Sequence, residues 1–250
     1  MNFNSNIIGI LLLNLFLFPH YLQEKKHGHP EQLNIYNHGI KVFNLNEEDT
    51  NIQYNYNKIN PSIQQKILKL LPKNYVFLNY SYVIKDSSLY TFHRDVTSSK
   101  SFNHLTYPSY TLIIYLYKGN HLTMCEKSHN IYNTVSNPYT IYGNIGQCIL
   151  FDADLVHASA LANTTERYCK QYKIAHKDDI KKLNKLNGTH IVKERSSRKI
   201  TLIERFVRMM SHKYIFLFDN TYIGSIIERK YDNKIINFIS KKLKLNFYNQ

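Results

Sequence analysis

The stretch "TFHRDVTSSK", residues 91–100, sets His93 and Asp95 one residue apart at the end of a tyrosine- and valine-rich run that reads as β-strand. Successive strand side chains point to opposite faces, so residues two apart project from the same one. A neutral imidazole beside a carboxylate supplies two of the three ligands of a common divalent-iron set, and a second histidine completes it. The candidate lies in "GQCILFDADLVHASALANTTER", residues 146–167. Gly146 allows a tight turn, "CILF" reads as a buried strand, and His157 follows the apolar "LV" on the next strand. The 62 residues from Asp95 to His157 suffice to cross a jelly roll and return to the same mouth. Two histidines and a carboxylate on one face leave open metal positions, an arrangement used in oxygen activation.

Ten residues beyond His157 stands Arg167, at the start of the next strand-like piece. A guanidinium there can fork onto a carboxylate that reaches the metal from its other end, as a bound 2-oxo diacid requires. Lys173, further along the same strand, is the competing cation. Ser159 shares the strand face of His157 and offers a hydroxyl donor. Singly, each residue has an ordinary reading: a chance H-x-D, a core histidine, a surface arginine. The ordered set is what points to a metal centre.

Such a set must be positioned by strands, and the chain supplies them in quick succession. "YVFLNYSYVI", "LYTFH", "YTLIIYLY", "HLTMCE", "YTIYG", "QCILFD", "LVHASA" and "ERYCKQYKIA" follow one another between turn signals such as "KGN", "SNP" and "GNIG". No helical pattern separates them, which excludes a parallel α/β sheet and predicts a jelly roll. Ahead of them, "NPSIQQKILKLLPKN" predicts a helix with Asn60 as cap, Pro61 in the first turn and an apolar stripe of Ile63, Ile67, Leu70 and Leu71. Residues 24–60 read as a loop-heavy lead-in with one short strand at "GIKVFNL". Past Asp178 the pattern turns mixed: "ITLIERFVRMM" predicts a helix, "YIFLF" a strand and "NKIINFISKKLKL" a terminal amphipathic helix.

The 250 residues can bury a full core, and Tyr 21 with Phe 13 rules out a disordered composition. The net charge of +14 is uneven. From Lys177 onward, 17 Lys and Arg face 7 Asp and Glu, so +10 of it sits in the last third. That tail reads as a solvated surface or as a face for nucleic acid or an acidic partner. Cys125, Cys148 and Cys169 form no CxxC and leave an odd count, which argues against a disulfide framework and a zinc knuckle. All three are expected as buried thiols in strands. "IIGILLLNLFLF", residues 7–18, is apolar but shorter than a spanning helix needs. It reads as a membrane anchor or uncleaved signal, or as an apolar helix packed on the domain, so the chain is expected to be membrane-associated or cytoplasmic.

From about Tyr75 to Ala175 the chain resembles the iron(II)/2-oxoglutarate-dependent dioxygenases, nearest to the phytanoyl-CoA dioxygenase-like branch. "FHRD", "HLTMCEKSHN", "GNIGQCILFDADLVHASALAN" and the downstream "ER" carry the likeness. It implies a mainly β, double-stranded β-helix fold (a jelly roll) with flanking helices, and iron(II) held by His93, Asp95 and His157. It also implies 2-oxoglutarate as cosubstrate, gripped by Arg167 with Ser159 assisting, and molecular oxygen as the oxidant. Two positions depart from the family: Cys169 stands where a hydroxyl residue often follows the arginine, and Lys127-Ser128-His129 where the branch has Gly-Ser-His. The expected organisation is an apolar segment over 1–24, a lead-in over 25–60, the dioxygenase domain over 61–177 and a basic extension over 178–250. The substrate is expected among lipids or small molecules, with protein or nucleic acid as the second class. A non-catalytic jelly-roll binding module with a relic or structural metal site is the alternative.

Overall fold

The computed structural model describes residues 25–86, 90–98, 104–131, 136–161, 167–194 and 202–215. Residues 1–24, the "YIFLF" strand beyond Ile215 and the terminal amphipathic helix lie outside them. Eleven strands fall into two sheets. In chain order they are β1 (Lys25–Lys26), β2 (Ile40–Asn44), β3 (Tyr75–Phe77), β4 (Tyr80–Lys85), β5 (Tyr110–Tyr115), β6 (Gly119–Met124), β7 (Tyr139–Gly143), β8 (Gln147–Asp152), β9 (His157–Ser159), β10 (Tyr168–His176) and β11 (Thr189–Glu194). The larger sheet runs β11-β4-β10-β5-β8-β2, with β3 pairing beside β4 on β10; the smaller runs β1-β7-β6-β9. From β4 onward the chain passes back and forth between the sheets. A single bridge at His93 joins the smaller one, β5 the larger, β6 and β7 the smaller, β8 the larger, β9 the smaller and β10 the larger. That winding is a double-stranded β-helix.

Alternation along the strands sorts side chains into three cores. On β5, Leu112 and Ile114 pack outward against a cluster with Ile63, Ile67, Cys148, Leu150 and Tyr172. Ile113 and Tyr115 point between the sheets with Met124, Ile149, Phe151 and Cys169. A third cluster of Phe92, Cys125, Val156, Ala158 and Ile215 lies on the far side of the smaller sheet. Strands covered on both faces read as unbroken apolar runs, which is why "CILF" was legible. Of the cysteines, Cys148 and Cys169 lie in strands while Cys125 follows the end of β6; all three are free and buried.

Among the described residues four α-helices flank the sheets: α1 (Ile35–His38), α2 (Glu47–Asn55), α3 (Pro61–Leu68) and α4 (Leu202–Lys213). In α3, Asn60 accepts from Ser62 N, Pro61 opens the first turn, and Ile63 and Ile67 are fully buried. Leu71 joins that core, but the helix ends at Leu68 and Leu70 turns to solvent at 38% exposure, contrary to the expected stripe. Helix α2 occupies what reads as loop. Its buried residues are Asp49 and Gln53, so it has no apolar stripe to announce it. It is held instead by the Asn46 cap, by acidic residues in its first turn, and by Lys170 Nζ. The Lys170 ammonium donates to Gln53 O (2.7 Å), Tyr54 O (2.9 Å) and Tyr56 O (3.1 Å), closing the C-terminal end of the helix. The lead-in also adds β2 to the larger sheet, and β11 extends its other edge in parallel to β4.

Candidate metal centre

Backbone pairing brings the two histidines together. His93 and His157 each donate N–H to the other's carbonyl at 3.0 Å, an isolated antiparallel bridge between sequence-distant segments. Such a pair sets both side chains on one face with Cα atoms about 5.5 Å apart. The rings follow, with centroids 4.4 Å apart. Asp95 is fixed two residues on, its N–H donating to Ala153 O at 2.9 Å. Only this bridge survives of the expected "LYTFH" strand among the described residues. Between the ligands, Arg94 is almost fully buried: Nε donates to Asp154 O (2.8 Å) and Nη2 to Ile131 O (2.8 Å) and Ser128 O (3.2 Å). The H-R-D segment is therefore tied to two neighbouring loops.

Ligand atoms of His93, Asp95 and His157 all lie within 4.8 Å of one another, and all three residues are buried. His93 Nδ1 meets Thr91 O at 2.9 Å and His157 Nδ1 meets Leu155 O at 2.8 Å. A carbonyl only accepts, so each Nδ1 carries the proton and each Nε2 presents its lone pair. Burial, followed by the neighbouring His157, pushes His93 down to about 3, and burial lowers His157 as well. Burial alone would raise the Asp95 carboxyl. Lys173, and after it the two histidines, instead hold it well below the usual carboxylate range. Two neutral imidazoles and one carboxylate are the protonation states a divalent metal needs. The residues fit the ion the resemblance implies.

Lys173, the competing cation, is committed to the metal ligand. Its Nζ is 2.5 Å from Asp95 Oδ2, and the two side chains are 1% and 5% exposed. The register of β10 on β5 sets Lys173 directly opposite Thr111, whose hydroxyl also donates to Asp95 Oδ2. Arg167 lies elsewhere. Its backbone N–H donates to Asp86 Oδ1 (3.0 Å) and its Nη2 to His121 O (3.1 Å). That carbonyl also takes the N–H of Ala160 at 3.5 Å, three residues past His157. Through that shared carbonyl Arg167 is tied to the chain just past the strand that carries His157. The Tyr115 phenol, fully buried, lies against the guanidinium without the geometry of a hydrogen bond. Its partner in register is Cys169, so a hydroxyl stands across the strand pair from the position where the family often has one.

Behind the smaller sheet, α4 braces the strands that carry the histidines. Arg208 Nη1 donates to Tyr90 O (2.6 Å) and Ser159 O (2.9 Å), and Phe92 N–H donates to Ser211 Oγ (2.8 Å). Thr111, Arg208 and Tyr115 went unread in the sequence. The alternation of "YTLIIY" puts Thr111 and Tyr115 on one face, but nothing short of the strand register says what they meet.

No protein-family model and no curated protein matches the chain. Solved structures do. HygX from Streptomyces hygroscopicus with nickel and 2-oxoglutarate bound is 12% identical, over 57% of this chain and 84% of that one, with a TM-score of 0.44. The iron and alpha-ketoglutarate-dependent endoperoxidase NvfI is 9% identical, over 60% and 81%, with a TM-score of 0.43. The nickel complex of the non-heme monooxygenase ThoJ is 16% identical, over 46% and 50%, with a TM-score of 0.36. The chain thus spans half of ThoJ, and 31% of EvdMO1.

Proposed function

We propose that the protein is a non-haem iron(II)- and 2-oxoglutarate-dependent dioxygenase that hydroxylates a lipid or small molecule. The convergence of His93, Asp95 and His157, with ligand atoms within 4.8 Å, carries this reading. Iron(II), when bound with 2-oxoglutarate and oxygen, supplies oxidative decarboxylation to succinate and carbon dioxide, coupled to hydroxylation of a C–H bond. The chain's own residues do the rest. The two imidazoles and Asp95 would hold the metal and leave it positions for further ligands. Arg167 holds the distal carboxylate through a charge-assisted fork, with Ser159 as assisting donor. Tyr115, across from Cys169, offers a further hydroxyl. The sandwich core around Met124, Phe151 and Ile149 keeps water from the reacting side.

Anaerobic titration with iron(II) and 2-oxoglutarate tests the reading. The visible metal-to-ligand charge-transfer band should appear only when both are present, and oxygen should then yield succinate. Iron binding with no band and no succinate would favour the binding module instead. No saturable iron binding would overturn both.

A further inference from the structure

Every donor that reaches the Asp95 side chain among the described residues approaches Oδ2. Lys173 Nζ is at 2.5 Å, Gln171 Nε2 at 3.4 Å, and the Thr111 hydroxyl donates to the same oxygen while accepting from Lys173 at 2.9 Å. Oδ1 is left as the single oxygen for a metal. Three strand positions therefore converge on one oxygen of one ligand, a built arrangement and not a chance contact. Lys173 is sealed from solvent and Asp95 is its one ion-pair partner among the described residues, and a buried ion pair that loses one member leaves the other strongly destabilising. In the metal-free protein the Lys173 ammonium is the full charge set directly against the Asp95 carboxylate.

We propose that Lys173 is a built-in counter-cation. It balances Asp95 so that the barrel folds without metal and with Oδ1 aimed at the metal position. Its fixed positive charge opposes the incoming dication and so holds metal affinity down until the dianionic cosubstrate joins. The inference rests on the metal-centre reading above and adds a positioning residue that does not touch the metal.

Lys173→Met, close in length and uncharged, separates this from a packing role. Chelator-treated wild type and variant are compared by thermal unfolding with and without nickel(II), and nickel affinity is measured by competition with a chelator, with and without 2-oxoglutarate. The metal-free variant should unfold about 10 °C lower, and nickel should restore most of the loss. Nickel should bind the variant at least about tenfold more tightly, with less dependence on 2-oxoglutarate. Equal destabilisation with and without nickel at unchanged affinity, or weaker nickel binding, would overturn the proposal. Should Lys173→Met not fold, Asp95→Asn combined with Lys173→Met removes both charges and should be more stable than the single variant. A double variant no more stable than the single one overturns the proposal equally. Absence of saturable nickel binding by wild type would instead sink the metal-centre reading.

Discussion

Lys170 and Lys173 stand three residues apart on β10 and point to opposite faces of the larger sheet, both removed from water. Lys170 faces the helices and spends its ammonium on three backbone carbonyls at the end of α2. Lys173 faces the smaller sheet and spends its own on the carboxylate of Asp95, a candidate metal ligand. Burial and residue type are shared; the partner differs. Carbonyls carry partial charge, so Lys170 keeps a full positive charge close to apolar surroundings, and burial lowers it to about 8. A carboxylate carries a full opposite charge and couples its lysine to whatever else binds there. The outward face of the strand therefore supports a helix, and the inward face supports the candidate metal centre.

Substitutions on the two faces of β10 should act on different properties. The largest effect is expected on the inward face, where Asp95→Ala removes a ligand and should weaken iron or nickel binding by at least about hundredfold in a chelator competition, since even outer partners of ligands change affinity 10- to 100-fold. Arg167→Ala comes next. A charge-assisted fork contributes about 1.5–3 kcal/mol, so 2-oxoglutarate affinity should fall roughly 10- to 150-fold while iron affinity stays unchanged. Arg167→Lys should recover part of that loss, because a point charge cannot make the bidentate pair. On the outward face, Lys170→Met should leave metal affinity alone and cost about 2 kcal/mol in denaturant unfolding, from the carbonyls it leaves short of a donor. If Lys170→Met alters iron affinity as much as it alters stability, the division between the faces fails.

The last test varies pH and needs no substitution. His93 is held at about 3 and His121 at about 4, both chiefly by burial, whereas an unfolded histidine titrates near 6.5. Between those values the unfolded chain binds more protons than the folded one, so stability falls as pH drops below 6.5. Each histidine should contribute a slope of about 1.4 kcal/mol per pH unit until its own folded value is reached. Urea unfolding of the metal-free protein between pH 7 and pH 5 measures it. A flat profile would mean that neither imidazole is held neutral inside the barrel.

How much of this was readable beforehand divides along physical lines. The strands of the jelly roll, the cap at Asn60 and the trio His93, Asp95 and His157 were legible because they depend on local alternation, a local cap and residue type. Helix α2 was not, since its buried residues are Asp49 and Gln53 and polar contacts hold it in place of an apolar stripe. The Lys173–Asp95 pair was not either. It depends on which residue of β5 stands opposite residue 173, and register between strands some sixty residues apart leaves no mark in either strand. Lys173 looked like a rival to Arg167 because both are cations on one face of one strand, and only tertiary geometry assigns them different anions. The same holds for Tyr115, which only the strand register sets across from Cys169.

The clamp of α4 on the smaller sheet has a consequence for association as well as for the site. Among the described residues the bridge at His93 is the outermost pairing of that sheet, next to β9, and an outermost extended segment offers its N–H and C=O groups to any other extended chain. Ser211 takes the Phe92 N–H and Arg208 takes the Tyr90 carbonyl, so side chains of a helix stand where a further strand would otherwise add. The same cover lies directly behind the histidine pair. A chain cut before Leu202 would present that edge bare, and a second molecule pairing there would do so one residue from a metal ligand.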